Sequence, residues 1–124
     1  MAKIGFIGMG NMGYAILKGL LNVYVKEEII FTDVNPGRCR QVSEETGVSF
    51  AACNAECAAS AKYIVLAVKP QFFAPVLSDI AGTVTKDHII ISIAPGITVD
   101  SIRETLGADK RIVRAMPNTP ALAG

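Results

Sequence analysis

The first residues whose types and spacing indicate a chemical function are Gly8-Met9-Gly10-Asn11-Met12-Gly13, which follow the pattern G-x-G-x-x-G. They come directly after the apolar run 4–7 and open a stretch, 11–23, in which apolar residues recur at helical spacing. Glycines between a strand and a helix are typical of a dinucleotide-binding turn: the first permits the tight turn, the second lets the backbone approach the pyrophosphate, and the third lets the helix pack on the sheet. The start of the helix adds free N–H groups and the positive end of its dipole. We therefore predict that these six residues bind a dinucleotide, in preference to a glycine-rich turn without a ligand.

An acidic residue, Asp33, stands at the end of the second apolar run, 25 residues after Gly8. At that position a carboxylate accepts hydrogen bonds from the adenosine ribose hydroxyls and favours NAD. Two alternatives stay open. Asp33 could only cap the turn into the helix that begins at Pro36, and Asn35 and Arg38 could instead serve a 2′-phosphate, so the choice between NADH and NADPH is not decided.

Two later segments follow predicted strands. Ala67-Val68-Lys69-Pro70 ends one apolar run, and Ser92-Ile93-Ala94 ends the next. Ligands of open α/β sheets bind at the carboxyl ends of the strands, so both segments are expected near the cofactor. Lys69 is either a cofactor contact or a solvated lysine at a strand end. His88 lies at the opposite end of its strand and is expected on the surface, with no catalytic part.

Apolar runs alternate with amphipathic stretches along the whole chain, without repeats or a low-complexity linker. The runs predict strands at 4–7, 28–33, 48–50, 62–68, 88–93 and 111–116, and the stretches between them predict helices at 11–23, 36–46, 54–60, 72–80 and 99–106. This alternation is typical of βαβ units. The predicted fold is α/β: a Rossmann-type, doubly wound, mainly parallel sheet of about six strands, with helices on both faces and residues 1–124 forming one NAD(P)-binding domain.

Composition excludes several classes of function. The chain has 124 residues and a net charge of +1, with its acids and bases scattered, which argues against nucleic acid and against a membrane surface as partners. It contains no run approaching the ~18 apolar residues of a membrane-spanning helix, so a cytoplasmic protein is expected. The three cysteines, Cys39, Cys53 and Cys57, and the single histidine predict neither a disulfide framework nor a metal site.

Four segments in this order give the chain a family resemblance: the glycine loop 8–13, Ala67-Val68-Lys69-Pro70, Ser92-Ile93-Ala94, and Arg114-Ala115-Met116-Pro117-Asn118-Thr119-Pro120. The chain resembles pyrroline-5-carboxylate reductase over essentially its whole length. The resemblance implies that NADPH or NADH reduces the C=N bond of 1-pyrroline-5-carboxylate to give L-proline, the last step of proline biosynthesis.

The resemblance also implies roles for particular residues. The glycine loop would hold the pyrophosphate, residues after Thr32 would meet the adenosine ribose, and Asn54 matches a family asparagine that contacts the cofactor. The nicotinamide end would lie along Ala67, Val68, Lys69, Pro70 and Ala94, and the substrate beside Met116, Pro117, Asn118 and Thr119. No catalytic side chain is expected within these residues, because hydride transfer takes its reacting atom from the cofactor. Asp33 stands where family members often have small hydroxyl residues, which puts a preference for NADPH in doubt.

The family continues into an all-helical domain that forms the dimer and helps to bind the substrate. We expect such a domain after residue 124, and we expect residues 1–124 alone to bind cofactor weakly without catalysing the reaction. One alternative is another Rossmann oxidoreductase, such as a β-hydroxyacid dehydrogenase or a deazaflavin-linked NADP oxidoreductase, which should lack Met-Pro-Asn-Thr-Pro. The other is a cofactor-sensing module without catalysis.

Overall fold

A computed structural model describes residues 2–115 of the chain. The strands are β1 (Ala2–Ile7), β2 (Ile29–Thr32), β3 (Ser49–Phe50), β4 (Ala61–Leu66), β5 (Ile89–Ser92) and β6 (Arg111–Arg114). The helices are α1 (Asn11–Leu20), α2 (Pro36–Thr46), α3 (Asn54–Ala59), α4 (Phe73–Ile80) and α5 (Val99–Leu106). Single 3₁₀ turns at Lys26–Glu28 and Pro70–Phe72 precede β2 and α4, and the sequence patterns had not predicted them.

The six strands form one sheet in the order β3-β2-β1-β4-β5-β6, and each neighbouring pair is parallel. β1 lies inside the sheet, where Phe6 aligns with Phe31 of β2 on one side and with Val65 of β4 on the other. The chain crosses from one half of the sheet to the other between β3 and β4. The predicted Rossmann-type sheet of about six strands is therefore confirmed.

Hydrophobic residues fill a core on each face of the sheet. Successive residues of a strand point to opposite faces, so Phe6 packs in the core under α1 and α2 while Ile7 packs in the core under α3, α4 and α5. Leu17 of α1 joins the first core, and Ile102 of α5 joins the second. Helices on both faces, as predicted, thus fix the carboxyl ends of the strands at one edge of the domain.

The ends of α2 follow directly from local chemistry. Asn35 caps the helix by accepting the Arg38 backbone N–H at 3.2 Å, Pro36 is its first residue, and Gly47 ends it with a φ of 78°. These bounds agree with the prediction. Among residues 2–115, no helix is long and apolar enough to cross a membrane.

The helix predicted at 11–23 and the strand predicted at 62–68 extended too far at their carboxyl ends. α1 ends at Leu20 rather than residue 23, because the N–H groups of Val23 and Tyr24 both bond to the Leu20 carbonyl in a turn. The β4–β5 ladder stops at the pair Leu66 and Ser92, and the N–H of Ala67 bonds to Ile7 instead, at 2.8 Å. The chain leaves the sheet at this point and passes beside the glycine loop.

Candidate functional site

The glycine loop is a tight turn held between two strand ends. The N–H of Gly8 donates to the carbonyl of Thr32 at 2.9 Å, and Gly8 has a φ of +97°, which L-residues with a side chain rarely adopt. A Cβ on Gly8 would also lie 2.8 Å from the backbone of Ala67 and from the side chain of Val68. Only glycine fits at this position, because the loop lies directly against the segment that follows β4.

The other two glycines differ in the space around them. A Cβ on Gly13 would lie 2.8 Å from the carbonyl oxygen of Gly8, so α1 packs too closely on the loop for a side chain. Among the residues that the structure describes, no atom would lie within 4 Å of a Cβ on Gly10. Gly10 is the N-cap of α1 and accepts the N–H of Tyr14 at 2.9 Å. The open space is therefore above Gly10, where the first turn of the helix leaves N–H groups free.

Asp33 joins the end of β2 to this loop. Its Oδ2 accepts the backbone N–H of Met9 at 2.7 Å, and its Oδ1 accepts the backbone N–H of Asn35 at 2.9 Å. The contact with Asn35 fits the interpretation that Asp33 caps the turn into α2. The hydrogen bond from Met9 was not predicted from the sequence. Because each carboxylate oxygen can accept more than one hydrogen bond, these contacts leave room for ribose hydroxyls.

Arg38, from the first turn of α2, also reaches the loop. Its Nε donates to the carbonyl of Met9 at 2.7 Å, its Nη1 donates to Gln41 Oε1 at 3.1 Å, and its Cζ lies 4.9 Å from the centre of the Tyr14 ring. The hydroxyl of Tyr14 donates to Glu45, which also accepts from Gln41 at 3.3 Å. This hydrogen bond raises the pKa of Tyr14 and lowers the pKa of Glu45. The sequence interpretation named Arg38 but missed the other three residues.

A cavity of about 320 Å³ lies in front of the loop. It is lined by Ile7, Gly8, Met9, Gly10, Asp33, Val34, Asn54, Ala67, Val68, Lys69, Phe72, Pro75, Val76 and Asp79. Residues predicted from the glycine loop, the end of β2, the start of α3 and the end of β4 thus meet around one space. Its charged groups are two carboxylates and the ammonium of Lys69, and Asn54 Nδ2 donates to Asp79 Oδ2 at 3.1 Å.

Two exposed apolar side chains stand at this cavity. Val34 is 90% exposed and Phe72 is 53% exposed, although both are hydrophobic. Val34 follows β2, and Phe72 ends the 3₁₀ turn that begins at Pro70. The sequence had predicted no contact with a ligand for either residue: Val34 follows a strand, and Phe72 was expected only to begin the helix 72–80.

Several predicted residues do not line this cavity. Asn11, Met12, Asn35, Arg38 and Pro70 lie in neighbouring segments, and Ala94 is buried in the core under α3, α4 and α5. His88, expected on the surface, is half-buried and joins two segments: its Nδ1 accepts the N–H of Thr85 at 3.0 Å and its Nε2 lies 2.9 Å from the carbonyl of Ala58. The predicted substrate residues Met116, Pro117, Asn118 and Thr119 lie outside the described residues.

A larger groove, of about 660 Å³, lies on the α1 side of the sheet, away from the glycine loop. It is lined by Lys3, Ile4, Ile16, Leu20, Tyr24, Tyr63, Val65, Ile91, Ile93 and Ala115. Right-handed crossovers put the helices that follow β4 and β5 on the opposite face, so within residues 2–115 α1 has no neighbour here over β5 and β6. The groove lacks the glycines and carboxylates of the smaller cavity, which we therefore take as the candidate site.

Known proteins share this sequence and fold. Residues 3–96 match the family described as NADP oxidoreductase coenzyme F420-dependent. Pyrroline-5-carboxylate reductase of Escherichia coli (strain K12) is 43% identical over 123 residues, which are 97% of this chain and 45% of that protein. The structure of a pyrroline-5-carboxylate reductase from Coxiella burnetii has a TM-score of 0.90 and 38% identity, over 98% of this chain and 46% of that one.

A further structure shows a related protein with a bound dinucleotide. Plasmodium falciparum pyrroline carboxylate reductase with NADP bound has a TM-score of 0.84 and 31% identity, over 98% of this chain and 44% of that one. The present chain spans about half the length of the curated relatives it matches.

Proposed function

The chain belongs to the family described as NADP oxidoreductase coenzyme F420-dependent, and on that premise we propose that it binds NADPH or NADH in the cavity at the glycine loop and is the cofactor half of a pyrroline-5-carboxylate reductase. The observation that carries the proposal is the free space above Gly10, at the start of α1 and beside the cavity. Among the described residues, no atom lies within 4 Å of the position that a Cβ on Gly10 would occupy. The relatives in Escherichia coli and Coxiella burnetii, which carry that name, support the choice of reaction.

The adenosine half of the dinucleotide would lie between the ends of β2 and β4. The pyrophosphate would meet the free N–H groups at the start of α1, and the ribose would meet Asp33. The adenine ring would lie against the exposed side chains of Val34 and Phe72, which gives those two residues an apolar surface to cover. Asn54, which is held by its hydrogen bond to Asp79, would contact the cofactor from the start of α3.

The nicotinamide half would extend toward the carboxyl ends of β4 and β5. When bound, the reduced nicotinamide supplies a hydride to the carbon of the substrate C=N bond, and the nitrogen of that bond takes a proton. The residues of this chain would bind and orient the cofactor, with Lys69 and Pro70 beside it and Met116 to Thr119 beside the substrate. Positioning of the two reactants can supply about 7–11 kcal/mol of barrier reduction.

We also propose that a helical domain follows residue 124, closes the substrate pocket and forms a homo-oligomer in the cytoplasm. The length of the relatives supports this, since the matched region is 45% of the Escherichia coli protein. A small anionic substrate reacts best in a closed, water-poor pocket, and one wall of that pocket would come from this second domain.

The proposal is tested by comparing residues 1–124 with the protein extended to its natural stop codon. Calorimetry with NADPH and NADH should detect binding to both proteins, and oxidation of NADPH in the presence of pyrroline-5-carboxylate should occur only with the longer one. Absence of binding to both would overturn the cofactor site. Equal turnover by the two proteins would place the whole active site within residues 1–124 and contradict the second domain.

A further inference from the structure

Two side chains, one just after β2 and one in the first turn of α2, hold both polar groups of the Met9 backbone. Asp33 Oδ2 accepts the Met9 N–H at 2.7 Å, and Arg38 Nε donates to the Met9 carbonyl at 2.7 Å. Asp33 and Arg38 carry opposite charges, yet they form no ion pair in the described part of the chain. The two charges are connected through the backbone of the glycine loop instead.

The carbonyl that Arg38 holds belongs to the peptide unit between Met9 and Gly10. The described residues contain no cis peptide bond, so this unit is trans and planar, and the Gly10 N–H points in the direction opposite to the Met9 carbonyl. The carbonyl faces the α2 side, where Arg38 lies, and the N–H therefore points away from α2. Within residues 2–115 this N–H has no backbone acceptor, and Gly10 is exposed at the cavity.

Arg38 is itself fixed on three sides. The Tyr14 ring lies under its guanidinium, Gln41 accepts from Nη1, and the Met9 carbonyl accepts from Nε. Glu45 accepts hydrogen bonds from both Tyr14 and Gln41 and so connects α1 to α2 around the arginine. A guanidinium is planar, and contacts at its face and at two of its nitrogens leave it little rotational freedom.

We propose that Arg38 is a positioning residue for phosphate binding: by holding the Met9 carbonyl, it orients the Gly10 N–H toward the pyrophosphate of the dinucleotide. The inference rests on the proposed cofactor site and adds a role that differs from contact with a 2′-phosphate. NADH and NADPH have the same pyrophosphate. Loss of the Arg38 contact therefore weakens both to the same extent, whereas a residue that contacts the 2′-phosphate directly affects NADPH alone.

The experiment uses residues 1–124 with the variants Arg38→Met and Arg38→Lys, titrated with NADH and with NADPH in a calorimeter. Arg38→Met keeps the apolar stem without the donor, and we expect it to raise both dissociation constants about tenfold, the scale of one hydrogen bond to a charged group. Arg38→Lys restores a charged donor and should recover most of the loss for both cofactors. Arg40→Met, on the same helix, is the control and should leave both constants unchanged.

Four results would overturn the inference. Weaker binding of NADPH with unchanged binding of NADH would make Arg38 a direct contact of the 2′-phosphate. Unchanged binding of both by a folded Arg38→Met variant would mean that the Gly10 N–H does not depend on the arginine. If Arg38→Met does not fold, the test depends on Arg38→Lys and on Tyr14→Leu, which removes the ring under the guanidinium. A loss of affinity confined to NADPH in either variant would again contradict the proposal. Failure of the parent to bind either cofactor, with all variants folded, would overturn the proposed function itself and the inference with it.

Discussion

The carbonyl oxygen of Gly8 lies 2.8 Å from the position that a Cβ would occupy on Gly13. Both partners are fixed, the first by the hydrogen bond from Gly8 to Thr32 and the second by α1, so neither can move away cheaply. We predict that Gly13→Ala lowers the free energy of unfolding by about 1–3 kcal/mol, the usual cost of overpacking. Urea denaturation followed by circular dichroism measures the change.

Gly19→Ala is the matched control, because Gly19 lies in the same helix and a Cβ there meets nothing within 4 Å. It should raise the free energy of unfolding by about 0.5–1 kcal/mol, since alanine is the better helix former. Equal effects of the two substitutions would show that α1 can move away from the loop to admit a side chain at Gly13.

Gly10→Val should abolish dinucleotide binding and leave the fold intact. Space for the new side chain exists, since no atom of the described part of the chain lies within 4 Å of the Cβ, and the φ of −73° suits any residue. The side chain would then occupy the position of the pyrophosphate. Calorimetry with NADPH and a circular dichroism spectrum together check this. Gly82→Val is the control, as its Cβ is equally unobstructed and Gly82 lines neither the cavity nor the loop. Binding by Gly10→Val as tight as by the parent would contradict the position of the phosphates.

Asp33→Ser should raise the ratio of NADPH affinity to NADH affinity by tenfold or more. A carboxylate about 4 Å from one phosphate charge costs about 1 kcal/mol in water and about 4 kcal/mol at an effective dielectric constant of 20, and a 2′-phosphate carries up to about two charges. The variant should also be less stable by about 1–3 kcal/mol, because the N–H of Met9 loses its acceptor. Calorimetry gives the ratio, and thermal denaturation gives the stability.

The control for this experiment is Asp87→Ser, an exposed aspartate outside the cavity. A lower stability of Asp33→Ser with an unchanged affinity ratio would mean that the carboxylate only holds the loop. An increase in the ratio without any loss of stability would mean that the hydrogen bond to Met9 contributes little.

The three cysteines should differ sharply in reactivity. Burial raises the pKa of Cys57 to about 12, and its Sγ lies 3.5 Å from the carbonyl of Phe6. Burial also raises the pKa of Cys39, whereas Cys53 is exposed. At pH 8 only about one Cys57 thiol in 10⁴ is ionised, and the thiolate is the reactive form. Iodoacetamide should therefore modify Cys53 first, as mass spectrometry of peptides can show, and modification of Cys57 in the folded protein would contradict its burial.

The sequence predicted the elements well where a local signal sets their ends. Asn35, Pro36 and Gly47 each act within one turn of α2, and its predicted bounds agree with the structure. Where an end depends on a partner strand, the prediction was less accurate. β4 ends at Leu66 because its ladder with β5 ends there, and no residue near Leu66 gives a local signal for this end.

The same distinction applies to the candidate site. Residues of the glycine loop could be identified because their spacing is itself the signal, and Asp33 because it follows a strand. The contact of Arg38 with Met9 spans 29 residues and depends on the path of a long side chain between two helices, and no periodicity of the sequence encodes such a path. Phe72 and Val34 were missed since exposed apolar residues are common on protein surfaces.

The place of β1 within the sheet has a consequence for synthesis of the chain. β1 is synthesised before its partner β4, which ends only at Leu66, and each parallel pairing needs a complete crossover before it can form. Until then one side of β1 is an unpaired edge that exposes the hydrogen-bonding groups of a strongly apolar segment. We expect slow folding for this order of pairings, and nascent chains from which β4 has not yet emerged are the ones that a chaperone would need to shield from aggregation.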